Sequence, residues 1–176
     1  MSQSPWLEPP PRLWHMKATC RFEVLMPLSS AEIVSALQAI VSTDAVIDDT
    51  SKMGAYLNEP RKRFHKAATA VVTPPSVEAL QAVVRWANEN RVGLIPQGGN
   101  TGLVGAQVPL FGTEVIVSLA RLDRVRAIDT AAGVMTAEAG VILENAHRAA
   151  EAEGAMFPLW LASQGSARIG GVLSSN

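Results

Sequence analysis

The segment Pro96-Gln97-Gly98-Gly99-Asn100-Thr101-Gly102-Leu103-Val104-Gly105 holds four glycines in ten residues. Positions without a Cβ let the backbone turn sharply and bring its amide groups within bonding distance of a large anion such as a pyrophosphate. The spacing fits neither the dinucleotide fingerprint, with glycines at i, i+2 and i+5, nor the Walker loop, which ends in Gly-Lys-Ser/Thr. The segment by itself leaves two interpretations open: an anion-binding loop, or a mobile surface loop whose glycines serve turns.

A predicted strand–helix–strand unit precedes this glycine segment. Residues 69–73 are strand-like and end at Pro74-Pro75, and Ser76 is placed to cap a helix that ends near Asn90. Residues 92–95 are again strand-like. Such a unit makes two parallel strands joined by a right-handed crossover, so we expect the glycine segment directly after the second strand.

Two more helices are predicted outside this unit. Ser29 and Glu32 have the spacing of a capping box, and the apolar residues after them predict a first helix to about Ser42. Residues 141–153 predict a later helix, and Gly154 is suited to the left-handed conformation just beyond its end.

The rest of the chain predicts strands and one irregular end. Residues 115–119 are strand-like, and residues 125–128 and 134–139 flank turn residues in the manner of a hairpin. Residues 165–176 return to glycine and serine, and we expect no helix or strand to close the fold there.

Composition and charge exclude several classes of protein. Apolar residues make up 48% of the 176 and charged residues 18%, which is typical of a chain folded around a core. The net charge of −1 argues against a nucleic-acid partner. One cysteine and three scattered histidines predict neither an internal disulfide nor a metal site. No segment has the apolar length of a secretory signal or a transmembrane helix, so a cytoplasmic location is expected.

Several motifs occur after the strand–helix–strand unit in a fixed order. They are PQGGNTGLVG at residues 96–105, Ser-Leu-Ala-Arg-Leu-Asp-Arg-Val at 118–125, Phe-Pro-Leu at 157–159 and Gly-Ser-Ala-Arg-Ile-Gly-Gly at 165–171. Together they closely resemble the FAD-binding domain of the vanillyl-alcohol-oxidase-type (PCMH-type) flavoproteins. The resemblance is nearest to the FAD-linked D-2-hydroxyacid dehydrogenases, which include D-lactate, glycolate and D-2-hydroxyglutarate dehydrogenases. It covers residues 28–176 and leaves residues 1–27 as an irregular leader.

The resemblance implies an α+β domain of two subdomains with FAD held between them. One is a small sheet that includes the β-α-β unit and carries the first glycine loop, and the other is a larger antiparallel sheet with helices. The residues that would contact FAD are Pro96, Gln97, Gly98, Gly99, Asn100, Thr101, Gly102 and Gly105 in the first loop, and Pro158, Leu159, Gly165, Ser166, Gly170, Gly171 and Asn176 in the later segments.

Three positions bear on how this chain would bind FAD. Many relatives link FAD covalently to a histidine where this chain has Asn100, so non-covalent FAD is expected. Arg168 stands where relatives often have a small polar residue, and it either adds a charge contact or crowds the loop. Trp160, directly after Pro158 and Leu159, either packs in the core or lies against the flavin.

The resemblance implies an FAD-binding part of an oxidoreductase that takes a hydride from a small D-2-hydroxy acid to flavin N5. In that family the substrate-binding and proton-abstracting residues belong to a C-terminal substrate domain, which we expect to be missing here, so no catalytic residue is assigned. The alternative function is a non-enzymatic nucleotide-binding module or an inactive fragment of a dehydrogenase.

Overall fold

The structure is a computed structural model that describes residues 28–64 and 66–175. The predicted irregular leader and the proposed contact at Asn176 lie outside the described residues. The helices are α1 (Ser30–Val41), α2 (Gly54–Leu57), α3 (Val77–Asn90), α4 (Leu143–Ala152) and α5 (Ile169–Ser175), with a 3-10 turn at Thr43–Ala45. The strands are β1 (Val46–Ile47), β2 (Ala70–Val72), β3 (Leu94–Gln97), β4 (Val115–Ser118), β5 (Val125–Asp129) and β6 (Val134–Ala137).

The first sheet has four strands in the order β1-β2-β4-β3. β2 and β3 both run parallel to β4, while β1 is antiparallel to β2. The predicted β-α-β unit is therefore present as β2-α3-β3, with its strands parallel but separated by β4. Non-local pairing of this kind leaves no mark in the sequence of the unit itself.

The two faces of this sheet are covered by different helices. Val72 and Val117 face the core under α1 and α3, while Val71 and Ile116 pack with Met53 from the segment that leads into α2. Because both faces are buried, β2 and β4 read as continuous apolar runs and not as alternating ones.

Both helices on the first face begin where the sequence predicts. In α1 the Ser29 hydroxyl accepts from the amide of Glu32, and the Glu32 carboxylate accepts from Ser29 in return, which completes the capping box. In α3 the Ser76 side chain caps the amide of Ala79, and the helix ends at Arg91 in the left-handed conformation.

The second sheet is the predicted antiparallel hairpin, β5-β6, with a register shift between Val125 and Ala127. Within the described residues it has two strands. α4 follows it, and Gly154 beyond its end has a φ of 69°, as expected of a left-handed residue.

The expectation that no helix closes the chain is wrong, because Ile169–Ser175 forms α5. Ile169 is buried, its amide donates to Val141 O at 2.9 Å, and the amide of Gly170 donates to Ala139 O at 2.8 Å. These long-range contacts fix the start of a helix whose glycine and serine content disfavours it locally.

Candidate functional site

The first glycine loop leaves the sheet at the carboxyl end of β3. Gln97 pairs with Ser118 there, and its side chain is 2% exposed. The Gln97 Nε2 donates to the carbonyls of Tyr56 and Gln107, each at 2.8 Å. The side chain of Gln97 thus connects the start of the loop to Gln107 at its end and to Tyr56. The groups of the loop that remain for a ligand are those of its backbone.

Asn100 holds the middle of the loop against α2. Its φ is 53°, in the left-handed region that asparagine tolerates better than most residues. Its Nδ2 donates to Ala55 O at 3.0 Å and Asn58 O at 2.8 Å. The Oδ1 is buried and has no hydrogen-bond partner among the described residues. The sequence offered no signal for Gln107, whose Nε2 donates to Gly102 O at 2.6 Å and closes the loop.

The two glycine segments meet in space. A Cβ on Gly99 would lie 2.8 Å from the carbonyl carbon of Ser166 and closer still to its oxygen. A Cβ on Gly98 would lie 3.4 Å from the Cβ of Arg168 and 3.9 Å from the amide nitrogen of Gly171. The structure therefore brings together residues that are about seventy positions apart in the chain.

Other glycines of the predicted site serve different purposes. Gly105 has a φ of 78°, and a Cβ there would lie 2.9 Å from the Phe64 ring carbon Cζ. A Cβ on Gly170 would lie 2.7 Å from that of Ala139. Gly171 is open, since no atom of residues 28–64 or 66–175 outside its own neighbours lies within 4 Å of the position its Cβ would take. Of these three glycines, Gly171 is the one with free space beside it.

Pro158 and Leu159 are positioned by α4. The Nε2 of His147, a residue 5% exposed, donates to Leu159 O at 2.7 Å. The ring of Trp160 lies 4.4 Å from that of His147, yet Trp160 is 62% exposed, so it is not a core residue in the described part of the chain. Sequence reasoning missed His147, because one histidine on an amphipathic helix carries no pattern.

Arg168 does not crowd the first loop. Its aliphatic stem lies beside Gly98, and its Nη1 donates to the carbonyl oxygens of Gly140 and Ala120. The Nε is buried and has no partner among the described residues. Both acceptors are neutral, and the arginine ion pairs found among the described residues belong to Arg124, Arg126 and Arg148.

Three buried carboxylates shape the surroundings. Glu59 accepts from the amides of Arg61 and Arg63 and so orders a turn. Burial of Glu114 raises the pKa of its carboxyl group. Hydrogen bonds from backbone N–H groups of the preceding loop, of which that of Phe111 has the largest effect, outweigh burial and hold the pKa below its usual value. Hydrogen bonds from the Arg124 amide and then its guanidinium lower the pKa of Glu138 to about 2. Each of these acids binds backbone amides, which identifies it as a structural group.

The described residues contain no group of three acidic, histidine or cysteine side chains that could hold a metal ion. None of the helices in that part of the chain has the length and apolar character needed to cross a membrane. The first glycine loop offers backbone amides, the stem of Arg168 lies beside it, and Gly171 has open space next to it among the described residues. Converging backbone amides of such a loop can hold a phosphate-bearing ligand.

Comparisons with known proteins agree with this chemistry. A protein family described as FAD binding domain matches residues 68–176. The chain is 32% identical over 162 residues to the probable mitochondrial D-2-hydroxyglutarate dehydrogenase of Oryza sativa subsp. indica, covering 92% of this chain and 28% of that protein. It is 34% identical over 149 residues to the D-2-hydroxyglutarate dehydrogenase of Stutzerimonas stutzeri strain A1501, covering 85% of this chain and 32% of that protein. The chain thus spans about a third or less of the length of these curated relatives.

Solved structures show the same fold. An alkyldihydroxyacetonephosphate synthase superposes with a TM-score of 0.74 at 22% identity, over 85% of this chain and 32% of that one. A p-cresol methylhydroxylase with substrate bound superposes with a TM-score of 0.67 at 22% identity, over 78% of this chain and 27% of that one. The α+β fold expected from the sequence is confirmed.

Proposed function

We propose that this chain, which belongs to the FAD binding domain family, is the cofactor-binding part of a flavin-dependent oxidoreductase acting on a small D-2-hydroxy acid. The observation that supports the proposal is the close approach of Gly99 to the backbone of Ser166 and Ala167, which brings the second glycine segment against the first glycine loop. Uncharged amides hold phosphates well when several converge.

The residues proposed to hold the cofactor divide into three groups. The amides of Gly98 and Gly99, with Asn100 and Thr101, face the diphosphate. Gly102 and Gly105 shape the end of the loop, and Pro96 and Gln97 lead into it. The remaining proposed contacts are Pro158, Leu159, Gly165, Ser166, Gly170, Gly171 and Asn176.

FAD, when bound, supplies the redox chemistry by accepting a hydride at N5. The protein's own task at this site is to bind and orient, through backbone groups that its side chains keep in place. The class of substrate is proposed from the relatives, two of which are named D-2-hydroxyglutarate dehydrogenases. The groups that bind the substrate and take up its proton are proposed to lie outside the described residues.

Attachment of FAD is proposed to be non-covalent. Asn100 occupies the position at which relatives carry a linked histidine, and its amide is not a nucleophile at neutral pH. Its Nδ2 is moreover engaged with two carbonyl groups of the α2 region. His147 is buried and donates to Leu159 O.

The test of the proposed function is FAD binding by the purified polypeptide of residues 1–176, with Gly171→Ala as the decisive variant. A Cβ at this position meets none of the described residues and lies within α5, so the variant should keep the wild-type stability or exceed it by up to about 1 kcal/mol. If the flavin chain passes Gly171, the added methyl group should weaken FAD binding by roughly tenfold.

A matched control is Gly54→Ala, whose Cβ would meet Asn58 Nδ2 at an ordinary 3.8 Å. This variant should bind FAD as the wild type does. Wild-type protein that binds no FAD would overturn the proposed function. Equal FAD affinity for Gly171→Ala and wild type would remove the second glycine segment from the site.

A further inference from the structure

Arg168 lies at the point where the two glycine segments meet. A Cβ on Gly98 would lie 3.4 Å from the Cβ and 3.9 Å from the Cδ of Arg168, and 3.9 Å from the amide of Gly171. The backbone of Arg168 is also fixed, because it forms a β-bridge with Ile142. The backbone of Arg168 is thus fixed, and its stem lies beside Gly98.

The guanidinium is anchored by neutral groups. Nη1 donates to Gly140 O and, at 3.5 Å, to Ala120 O. Gly140 is itself fixed, since its amide donates to Leu122 O at 2.7 Å and a Cβ on it would lie 2.6 Å from the same oxygen. The arginine ion pairs found in the described part of the chain belong to other arginines, Arg124, Arg126 and Arg148.

This arrangement is costly for the protein alone. A buried N–H group without an acceptor carries a desolvation penalty, and a partly buried charge adds to it unless an opposite charge is near. Arg168 has both features, because its Nε is buried without a partner among the described residues and its known acceptors are uncharged. An anion bound beside Gly98 would compensate them.

We propose that Arg168 provides the positive charge that balances the diphosphate of FAD. The diphosphate would lie where Gly98 and Gly99 approach residues 166–171. The inference rests on the proposed function and adds to it the source of positive charge in a loop that has no lysine. Arg168 acts as a positioning and binding residue: its stem supports the first loop, and its charge attracts the phosphates across that loop.

The experiment compares Arg168→Lys with Arg168→Gln. Glutamine keeps a donor for the carbonyls of Gly140 and Ala120 but loses the charge, whereas lysine keeps the charge. FAD affinity is measured by flavin fluorescence quenching at low and high salt, and the melting temperature is measured without FAD. Both use the polypeptide of residues 1–176.

A counter-charge role predicts that Arg168→Gln weakens FAD binding by roughly tenfold at low salt, while Arg168→Lys stays within a few-fold of wild type. The deficit of Arg168→Gln should shrink at high salt, because salt screens the charge that the wild type uses. The melting temperature of this variant without FAD should equal or exceed that of wild type.

Two results would overturn the inference while leaving FAD binding intact. One is Arg168→Gln with wild-type FAD affinity at low salt. The other is an equal loss of affinity in both variants, independent of salt and accompanied by a lower melting temperature, which is the result for a purely structural clamp. Wild-type protein without FAD affinity would instead refute the proposed function, and the inference with it.

Discussion

Gly99→Ala should disrupt the contact between the two glycine segments. The new Cβ would lie 2.8 Å from the carbonyl carbon of Ser166 and 3.3 Å from Ala167 Cα, and closer still to Ser166 O. An ordinary contact begins at about 3.4 Å, so the segments must separate by at least 0.6 Å, the difference between 3.4 and 2.8 Å. Both partners are backbone, and neither can rotate away.

The expected cost of this substitution follows from its surroundings. Overpacking a fixed contact by one methyl group costs about 1–3 kcal/mol of folding free energy. For a chain of this size that lowers the melting temperature by roughly 2–12 °C. FAD affinity should fall by more than tenfold, because the two segments proposed to hold FAD would be displaced from each other.

Thermal denaturation without FAD and a fluorescence titration with FAD measure the two effects of Gly99→Ala separately. Gly54→Ala is the control for the change in chain entropy, since its Cβ has an ordinary contact at 3.8 Å. A Gly99→Ala protein with the melting temperature and FAD affinity of the wild type would refute the reasoning, because the segments could not then be in contact.

Three further predictions concern the surroundings of the site. Because FAD is proposed to bind non-covalently, acid precipitation of the FAD-loaded protein should release all flavin into the supernatant. Yellow colour in the pellet would show that flavin is covalently attached. Because the pKa of Glu138 is lowered from 4.5 to about 2, its stabilising effect should be complete above pH 4.5 and be lost as the pH falls towards 2. Melting temperatures between pH 2 and 6 should show this loss in wild type and in Glu144→Gln but not in Glu138→Gln. His147→Phe should lower the melting temperature by leaving Leu159 O without its donor, and an unchanged value would show that this hydrogen bond is dispensable.

The parts of the fold that follow local rules were predictable from the sequence. The capping box of Ser29 and Glu32, the hairpin of β5 and β6 and the left-handed Gly154 each depend on residues a few positions apart. The place of β4 between β2 and β3 depends on pairing across long loops and was not predictable. α5 was missed for a related reason, since the contacts of Ile169 and Gly170 with residues 139–142 outweigh poor local propensity.

The candidate site was predictable to the level of segments but not of side-chain roles. Glycine content indicated where backbone comes close, and Gly98 and Gly99 do meet the second segment. No pattern in the sequence indicated that the side-chain amides of Gln97 and Asn100 donate to carbonyl groups about forty positions upstream. Such pairs have no periodicity, and only the folded chain brings them together.

These side-chain roles support the proposal that a loop without lysine selects a phosphate-bearing ligand. The side-chain donors of Gln97, Asn100 and Gln107 bind protein carbonyls, so they fix the loop and leave its backbone amides for the ligand. Backbone amides are identical at every residue, and selectivity must therefore come from the shape of the loop and from charge. We propose that the contact between Gly99 and Ser166 provides the shape and that Arg168, whose stem lies beside Gly98, provides the charge. A substitution that preserves the shape but removes this charge tests the charge alone, whereas one at Gln97 or Asn100, which are uncharged, alters the shape alone.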